Sequence, residues 1–174
     1  ALVAVLSYFS NAEQLQQFVF WSFGTLGNVS WNGILILFFC ITIGLWISFL
    51  TTKSLNALLL GENYAKSMGV NLKLATFWII VATSLLAGSI TAFAGPIAFV
   101  GLAVPHLTRQ YFNSSNHMVL LPAVFLSGAV LMLICDTVAQ LPFIELTLPI
   151  NAITSLLGAP VVIWLLVRKR KLFF

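Results

Sequence analysis

The sequence predicts an all-α fold, a polytopic transmembrane helical bundle of about five crossings plus a partial N-terminal span. Three observations carry that expectation. Only 7% of the 174 residues are charged and 60% are hydrophobic, whereas about a quarter of an ordinary soluble domain is charged. So few polar groups cannot cover a water-facing surface, and the apolar excess must face lipid. Uncharged stretches recur at the length a bilayer core demands, about 20 residues for about 30 Å. The basic residues fall between or after those stretches, not within them.

The elements follow in order. Residues 1–9 are apolar and read as the tail of a span. A chain opening at Ala1 inside a hydrophobic segment, with no basic leader or cleavage pattern, is expected to be a fragment. Residues 11–23 are apolar and aromatic but interrupted by Glu13, Gln14, Gln16 and Gln17. They predict a short helix at the outer interface, ended by Gly24 and Gly27 and anchored by Trp21 and Trp31. Residues 33–52 carry no charge and fit one crossing. Residues 118–138 and 150–167 fit one each.

The stretch 74–108 is too long for one crossing and short for two. Charge decides between them. With a single crossing, Arg168 to Lys171 would end opposite the loop bearing Lys53, Lys66 and Lys73. With two crossings, 74–94 and 97–109, and a turn at Gly95-Pro96, all eight Lys and Arg residues share one side. The excess of basic residues on cytoplasmic loops favours the second arrangement. The C-terminus is then cytoplasmic, and Glu13 and Glu145 lie outside. The crossing at 97–109 rises only about 20 Å. A short helix containing Pro105 exposes backbone groups that lipid cannot satisfy, so other helices should surround it.

Several function classes are excluded at this stage. The net charge of +4 comes from basic residues too few and scattered for nucleic-acid binding. Four of them form the run Arg168 to Lys171, placed as a juxtamembrane anchor. Cys40 and Cys135 have neither metal-ligand nor disulfide spacing and read as packing residues. Gly88, Gly95, Gly101, Gly128 and Gly158 suggest close helix packing, and Pro160 frees a carbonyl within the last span that neighbours must satisfy. A membrane enzyme would use His106, Asp136 or Glu145, but the topology separates the histidine from the carboxylates by about a membrane thickness.

The segment 53–73, KSLNALLLGENYAKSMGVNLK, is the most informative. Ser54 is placed to cap a helix with Leu55, Leu58 and Leu59 as its apolar positions. Gly61 breaks it, and a second helix, 62–68, stops at Gly69. Two short amphipathic helices outside the membrane either lie on lipid or dock into another protein.

NALLLGENYAKSMGV resembles the cytoplasmic coupling segment of the FecCD/BtuC-like permeases, the type II ABC importers for siderophores, haem and vitamin B12. The likeness continues through AGPIAFVGLAVPHLTRQYFNSSNHMVLLPAVFLSGAVLMLICD and LPINAITSLLGAPVVIWLL, and upstream in FWSFGTLGNVSW. It implies the C-terminal part of a single permease domain over residues 1–174, with 53–73 as the coupling segment. Leu59, Leu60, Gly61, Glu62, Ala65, Met68 and Gly69 are then the residues expected to seat in a cleft of an ABC ATPase subunit. No GxxxxGK[ST] loop is present, so this chain is expected to bind no cofactor and to be no enzyme, with ATP used by that partner. The other implied partners are an extracytoplasmic substrate-binding protein, a second permease copy and membrane lipid. The implied location is the cytoplasmic (inner) membrane.

Pro105, His106 and Arg109 resemble the family's Pro-His-x-x-Arg element. His106 is either a proton-sensitive group or, with Arg109 on one face, a snorkelling residue that bonds loop carbonyls. His117 is expected in the following loop. Asp136 is a functional candidate as a membrane carboxylate. The family pattern places arginine four residues on, where this chain has Gln140. Asp136, Gln140 and Glu145 are thus candidates for binding-protein docking, with pairing inside the bundle as the alternative for Asp136. The competing function is a secondary transporter or channel not powered by ATP, which would need ionisable groups near mid-membrane.

Overall fold

The computed structural model of the chain describes residues 8–27, 29–140 and 148–170. Among them every regular element is a helix: α1 Ala12–Phe23, α2 Trp31–Leu50, α3 Thr52–Leu58, α4 Glu62–Ser67, α5 Leu72–Ala94, α6 Val100–Phe112, α7 His117–Ala139 and α8 Ile150–Arg170. Three of these, α2, α5 and α7, are long and apolar enough to cross a membrane. The partial span expected at 1–9 lies almost wholly outside the described residues.

Small polar caps set where the long helices start. Ser30 Oγ accepts from the Gly33 amide at 3.2 Å, Asn71 Oδ1 from the Leu74 amide at 3.3 Å, and Asn116 Oδ1 from the Met118 amide at 3.0 Å. Each satisfies one of the orphan donors of a first turn. The caps start α2 at Trp31, α5 at Leu72 and α7 at His117, slightly earlier than apolar composition alone indicates. His117 therefore opens α7 and does not sit in the preceding loop.

The helices form two packed groups. α2 lies against α5, where Gly44 gives Leu86 room: a Cβ on Gly44 would stand 2.6 Å from Leu86 Cγ. α6 packs on α7 and α8 through Ala103, Val104 and Thr108. Beside it Cys135, Ala139 and Ile153 bury a small cluster with Leu131. Eight of the thirteen buried apolar residues are alanines, while Phe38, Trp46, Leu126 and Leu133 point outward. Small residues inside and large apolar ones outside is the arrangement of helices that pack closely within an apolar surrounding.

The chain leaves α5 and starts α6 within residues 95–99. Gly95 takes φ +79, and a Cβ there would strike the Trp21 carbonyl oxygen. The Thr25 amide donates to the Ala94 carbonyl at 3.0 Å. Asn151 closes the junction: Oδ1 accepts from the Ala98 amide at 3.0 Å, and Nδ2 donates to the Pro96 carbonyl at 2.6 Å and the Ser22 carbonyl at 3.1 Å. This end of the bundle thus gathers α1, the α5–α6 break and the start of α8. The opposite end gathers α3, α4 and the α6–α7 junction, joined by a bond from Asn56 Nδ2 to Asn116 Oδ1 at 2.9 Å. Between residues 72 and 112 the chain therefore runs the length of the bundle twice, turning at Gly95-Pro96 as charge placement indicates.

Two expectations need correction. The short helix spans Val100–Phe112 and not 97–109, because Ala98 gives its amide to Asn151 and Phe99 takes a left-handed φ of 65°. Among the described residues α7 and α8 cover one side of it, and Leu102 on the other is 70% exposed. Of the glycines expected at helix contacts, Gly95 and Gly158 are tightly apposed to neighbours, the latter to Phe99. Nothing lies within 4 Å of a Cβ placed at Gly88 or Gly101, and at Gly128 only Val104 does, at 3.9 Å.

Asn151→Leu should destabilise the protein by about 2–3 kcal/mol, because it strips partners from one amide and two carbonyls at a single junction. Thermal unfolding of the detergent-solubilised full-length protein reads this as a lower Tm, and an unchanged Tm would show that the junction is held by other contacts.

Candidate functional site

The segment joining α2 to α5 is built from two short helices and two glycine turns. α2 passes into α3 at Thr51, whose backbone stays near the helical region, at φ −83 and ψ −4. Thr51 Oγ1 donates to the Ser48 carbonyl at 2.9 Å and Thr52 Oγ1 to the Phe49 carbonyl at 2.6 Å. Both threonines are buried, so the hydroxyls fold the bend onto carbonyls that the end of α2 leaves bare. Ser54, expected as the cap, lies within α3 instead, because these threonine bonds let the helical path run on from Leu50.

α3 stops at Gly61. Its φ of +101 and ψ of 153 are a conformation that only glycine adopts freely, and its carbonyl accepts from the Ala65 amide at 3.0 Å to start α4. α4 stops in a paired glycine motif: the Gly69 amide donates to the Lys66 carbonyl at 2.9 Å and the Val70 amide to the Ala65 carbonyl at 3.0 Å. Glu62 in the first turn and Lys66 in the last both complement the helix dipole.

The two helices bury Ala57 and Ala65 toward the bundle. Outward they present Leu59, Leu60, Tyr64 and Met68, with Leu60 64% and Met68 61% exposed. Glu62 is exposed beside them. The expected set Leu59, Leu60, Gly61, Glu62, Ala65, Met68 and Gly69 is thereby gathered into one projection, in which Ala65 is a packing residue and the two glycines shape the backbone.

The other candidates separate. Pro105 and His106 are half-buried on α6 and Arg109 is exposed in its last turn. Among the described residues neither the His106 nor the Arg109 side chain makes a hydrogen bond, so the expected bonds to loop carbonyls are not formed. Arg109 instead lies within electrostatic reach of His117. Asp136 and Gln140 sit at the opposite end, where Gln140 Nε2 donates to Asp136 Oδ2 at 2.9 Å. Gln140 thus meets the carboxylate without a second charge. Both line a cavity of about 620 Å³ walled by Phe20, Phe23, Leu148 and Pro149. Glu145 lies outside the described residues.

The residues that sequence reasoning missed are asparagines. Asn56, Asn116 and Asn151 make the bonds that hold the two ends of the bundle. A signal existed: Asn56 and Asn151 stand among apolar neighbours, where an amide is costly unless bonded.

The sequence matches the model of the FecCD transport family over residues 1–168. The chain belongs to the FecCD transport family. It is 38% identical over 171 residues to the hemin transport system permease protein HmuU of Yersinia pestis, covering 98% of this chain and 51% of that protein. It is 37% identical over 174 residues to the vitamin B12 import system permease protein BtuC of Citrobacter koseri, with the same two coverages. The chain thus spans about half the length of these FecCD-family relatives. Its fold matches that of a metal-chelate type ABC transporter in an inward-facing conformation, at a TM-score of 0.87 and 35% identity, over 97% of this chain and 55% of that one.

Gly61→Ala meets no neighbour within 4 Å, so its effect isolates backbone strain. That strain is about 1–3 kcal/mol. Hydrogen exchange at the Ala65 amide, which depends on the Gly61 carbonyl, should accelerate, while Gly27→Ala, at a glycine with equally open surroundings, should leave it unchanged.

Proposed function

We propose that this chain is the C-terminal half of a permease subunit of an ATP-driven importer. In this reading it lies in the cytoplasmic membrane with its C-terminus inside, and it passes an iron chelate, haem or a corrinoid inward. The observation that carries the proposal is the projection between two membrane-length helices, with Leu59, Leu60, Tyr64 and Met68 uncovered at its tip. Lys53, Lys66, Lys73 and Arg109 belong to the end of the bundle that bears it, which supports a cytoplasmic position for that end. The hemin and vitamin B12 permeases to which the chain is similar support the cargo class.

The projection seats in a cleft of a separate ATPase subunit, which binds and hydrolyses the ATP. Burying the exposed leucine and methionine side chains supplies affinity, at about 25 cal/mol per Å² of apolar surface. Glu62 adds one charge for orientation. The glycine stops at Gly61 and Gly69 keep the helices short, so force on the tip moves the projection as a body. A substrate-binding protein docks at the far end, near Asp136, Gln140 and Glu145, and a second permease copy completes the conduit. The Asp136–Gln140 pair makes that docking one of hydrogen bonding and shape, without a salt bridge inside the pair.

Leu60→Asp and Glu62→Arg in the full-length permease test the reading. Capture of the partner ATPase should weaken at least about tenfold, the scale of one buried contact residue, and uptake should fall with it while the permease remains in the membrane. Unchanged capture and uptake would end the proposal. Uptake that followed an ion gradient without the ATPase would point to a secondary transporter.

A further inference from the structure

Asn56 lies near the end of α3, half-buried, on the docking projection. Its side chain reaches α7. Oδ1 accepts from the His117 amide at 2.9 Å and stands 2.7 Å from His117 Nδ1. Nδ2 donates to Asn116 Oδ1 at 2.9 Å, and that oxygen also accepts from the Met118 amide at 3.0 Å. Backbone groups fix every orientation in this network. Facing the His117 N–H, Asn56 must present oxygen; facing the Met118 N–H, Asn116 must do the same. It follows that His117 carries a proton on Nδ1, since that nitrogen meets an acceptor.

The His117 amide is a first-turn donor with no partner inside its own helix. Asn56 supplies that partner from another element, capping α7 in trans. The link spans 61 residues of sequence. Among the described residues, the other side-chain hydrogen bonds of the segment 53–73 stay within it or cap the helix that continues it, as Asn71 does for Leu74 of α5, and only those of Asn56 reach a helix elsewhere in the chain. α2 and α5 continue the segment covalently, whereas α7 does not. Asn56 is its polar connection.

We propose that Asn56 is the positioning residue that passes displacement of the docking projection to α7, an inference that rests on the docking role argued above. α7 has 23 residues, and at its far end Asp136 and Gln140 wall the cavity of about 620 Å³. The helix runs without a break from His117 through Pro122 to Ala139, so in this inference displacement of its N-terminus is carried along it to the cavity. Removing the cap frees the projection to move without α7.

The test uses the full-length permease assembled with its ATPase in lipid. Spin labels replace exposed Trp31 and Val138, at the far ends of α2 and α7, in a Cys40→Ala, Cys135→Ala background. The distance between them is measured without nucleotide and with a non-hydrolysable ATP analogue. The unmodified network should show a nucleotide-driven change in distance. Asn56→Leu should keep ATPase capture and hydrolysis and reduce the fraction of molecules making that change by about tenfold. Asn56→Asp keeps both acceptor bonds to His117 but sets a second oxygen against Asn116 Oδ1, so it should restore the change in part; leucine is of similar size, so a role in packing alone would not separate the two variants. Asn56→Ser, polar but too short to reach, replaces the leucine variant if that protein does not enter the membrane. A full distance change in Asn56→Leu overturns the inference, as does loss of capture in that variant or absence of any change with Asn56 intact. Failure of the Asn56 protein itself to capture the ATPase overturns the docking reading, a result separable from the others.

Discussion

Between α5 and α6 the chain reverses within five residues, and the backbone groups laid open by that reversal are met by the carboxamide of Asn151. An amide or carbonyl left bare in an apolar surrounding costs several kcal/mol. The reversal is thus possible only where a side chain with both a donor and an acceptor can reach it. Asparagine is the shortest side chain that offers two N–H donors and an acceptor on a separate atom. Once α8 brings Asn151 to this point, Gly24 and Gly95 can approach backbone to backbone, and α1 is drawn onto the same junction through the Ser22 carbonyl. The path of α6, and with it the position of everything that follows, depends on that one residue.

The rest of the packing is permissive by comparison. Most of the buried apolar residues at helix contacts are alanines, which let axes come close without demanding a particular interlock. Directional information comes from polar groups at the ends: Ser30, Asn71 and Asn116 as caps, the Thr51 and Thr52 hydroxyls at the bend, and Asn56 across to α7. Orientation is therefore set at the two ends of the bundle, and the middle only has to fit.

The parts of this fold legible in the sequence are those written as runs. Uncharged length marks α2, α5 and α7, and the expectation that basic residues share one side is what suggests a turn within 74–108. Gly61 and Gly69 were legible because glycine after a leucine run, or after a helical turn, has a local meaning. Residues whose role depends on a distant partner were not. Gly44 matters because of Leu86 and Gly88 meets nothing, yet both are glycines in apolar helices. Ser54 looks like a cap until Thr51 and Thr52 are seen to bond back to α2. Asn56 is an ordinary polar residue of a short helix until α7 arrives beside it. At the far end, Asp136 was visible as a carboxylate, but its satisfaction by Gln140 needed the helical register of α7 and both rotamers.

The two ends of the bundle differ in how firmly they are held. At the α5–α6 break, Asn151 makes three hydrogen bonds to backbone atoms and a glycine pair interlocks beneath it. At the projection, the polar connection to α7 runs through one carboxamide whose partners are exposed or half-buried. The bonds themselves are equally open to water, since one at each end is exposed and the others are part-buried. What differs is the packing beneath them: Gly95 has no room for a Cβ against the Trp21 carbonyl, whereas Gly61 and Gly69 have open surroundings. In the proposed docking, displacement of the exposed leucines and methionine is taken up by α3 and α4 between those open turns and passed to α7 through Asn56, while the glycine pair keeps α6 and α8 in register.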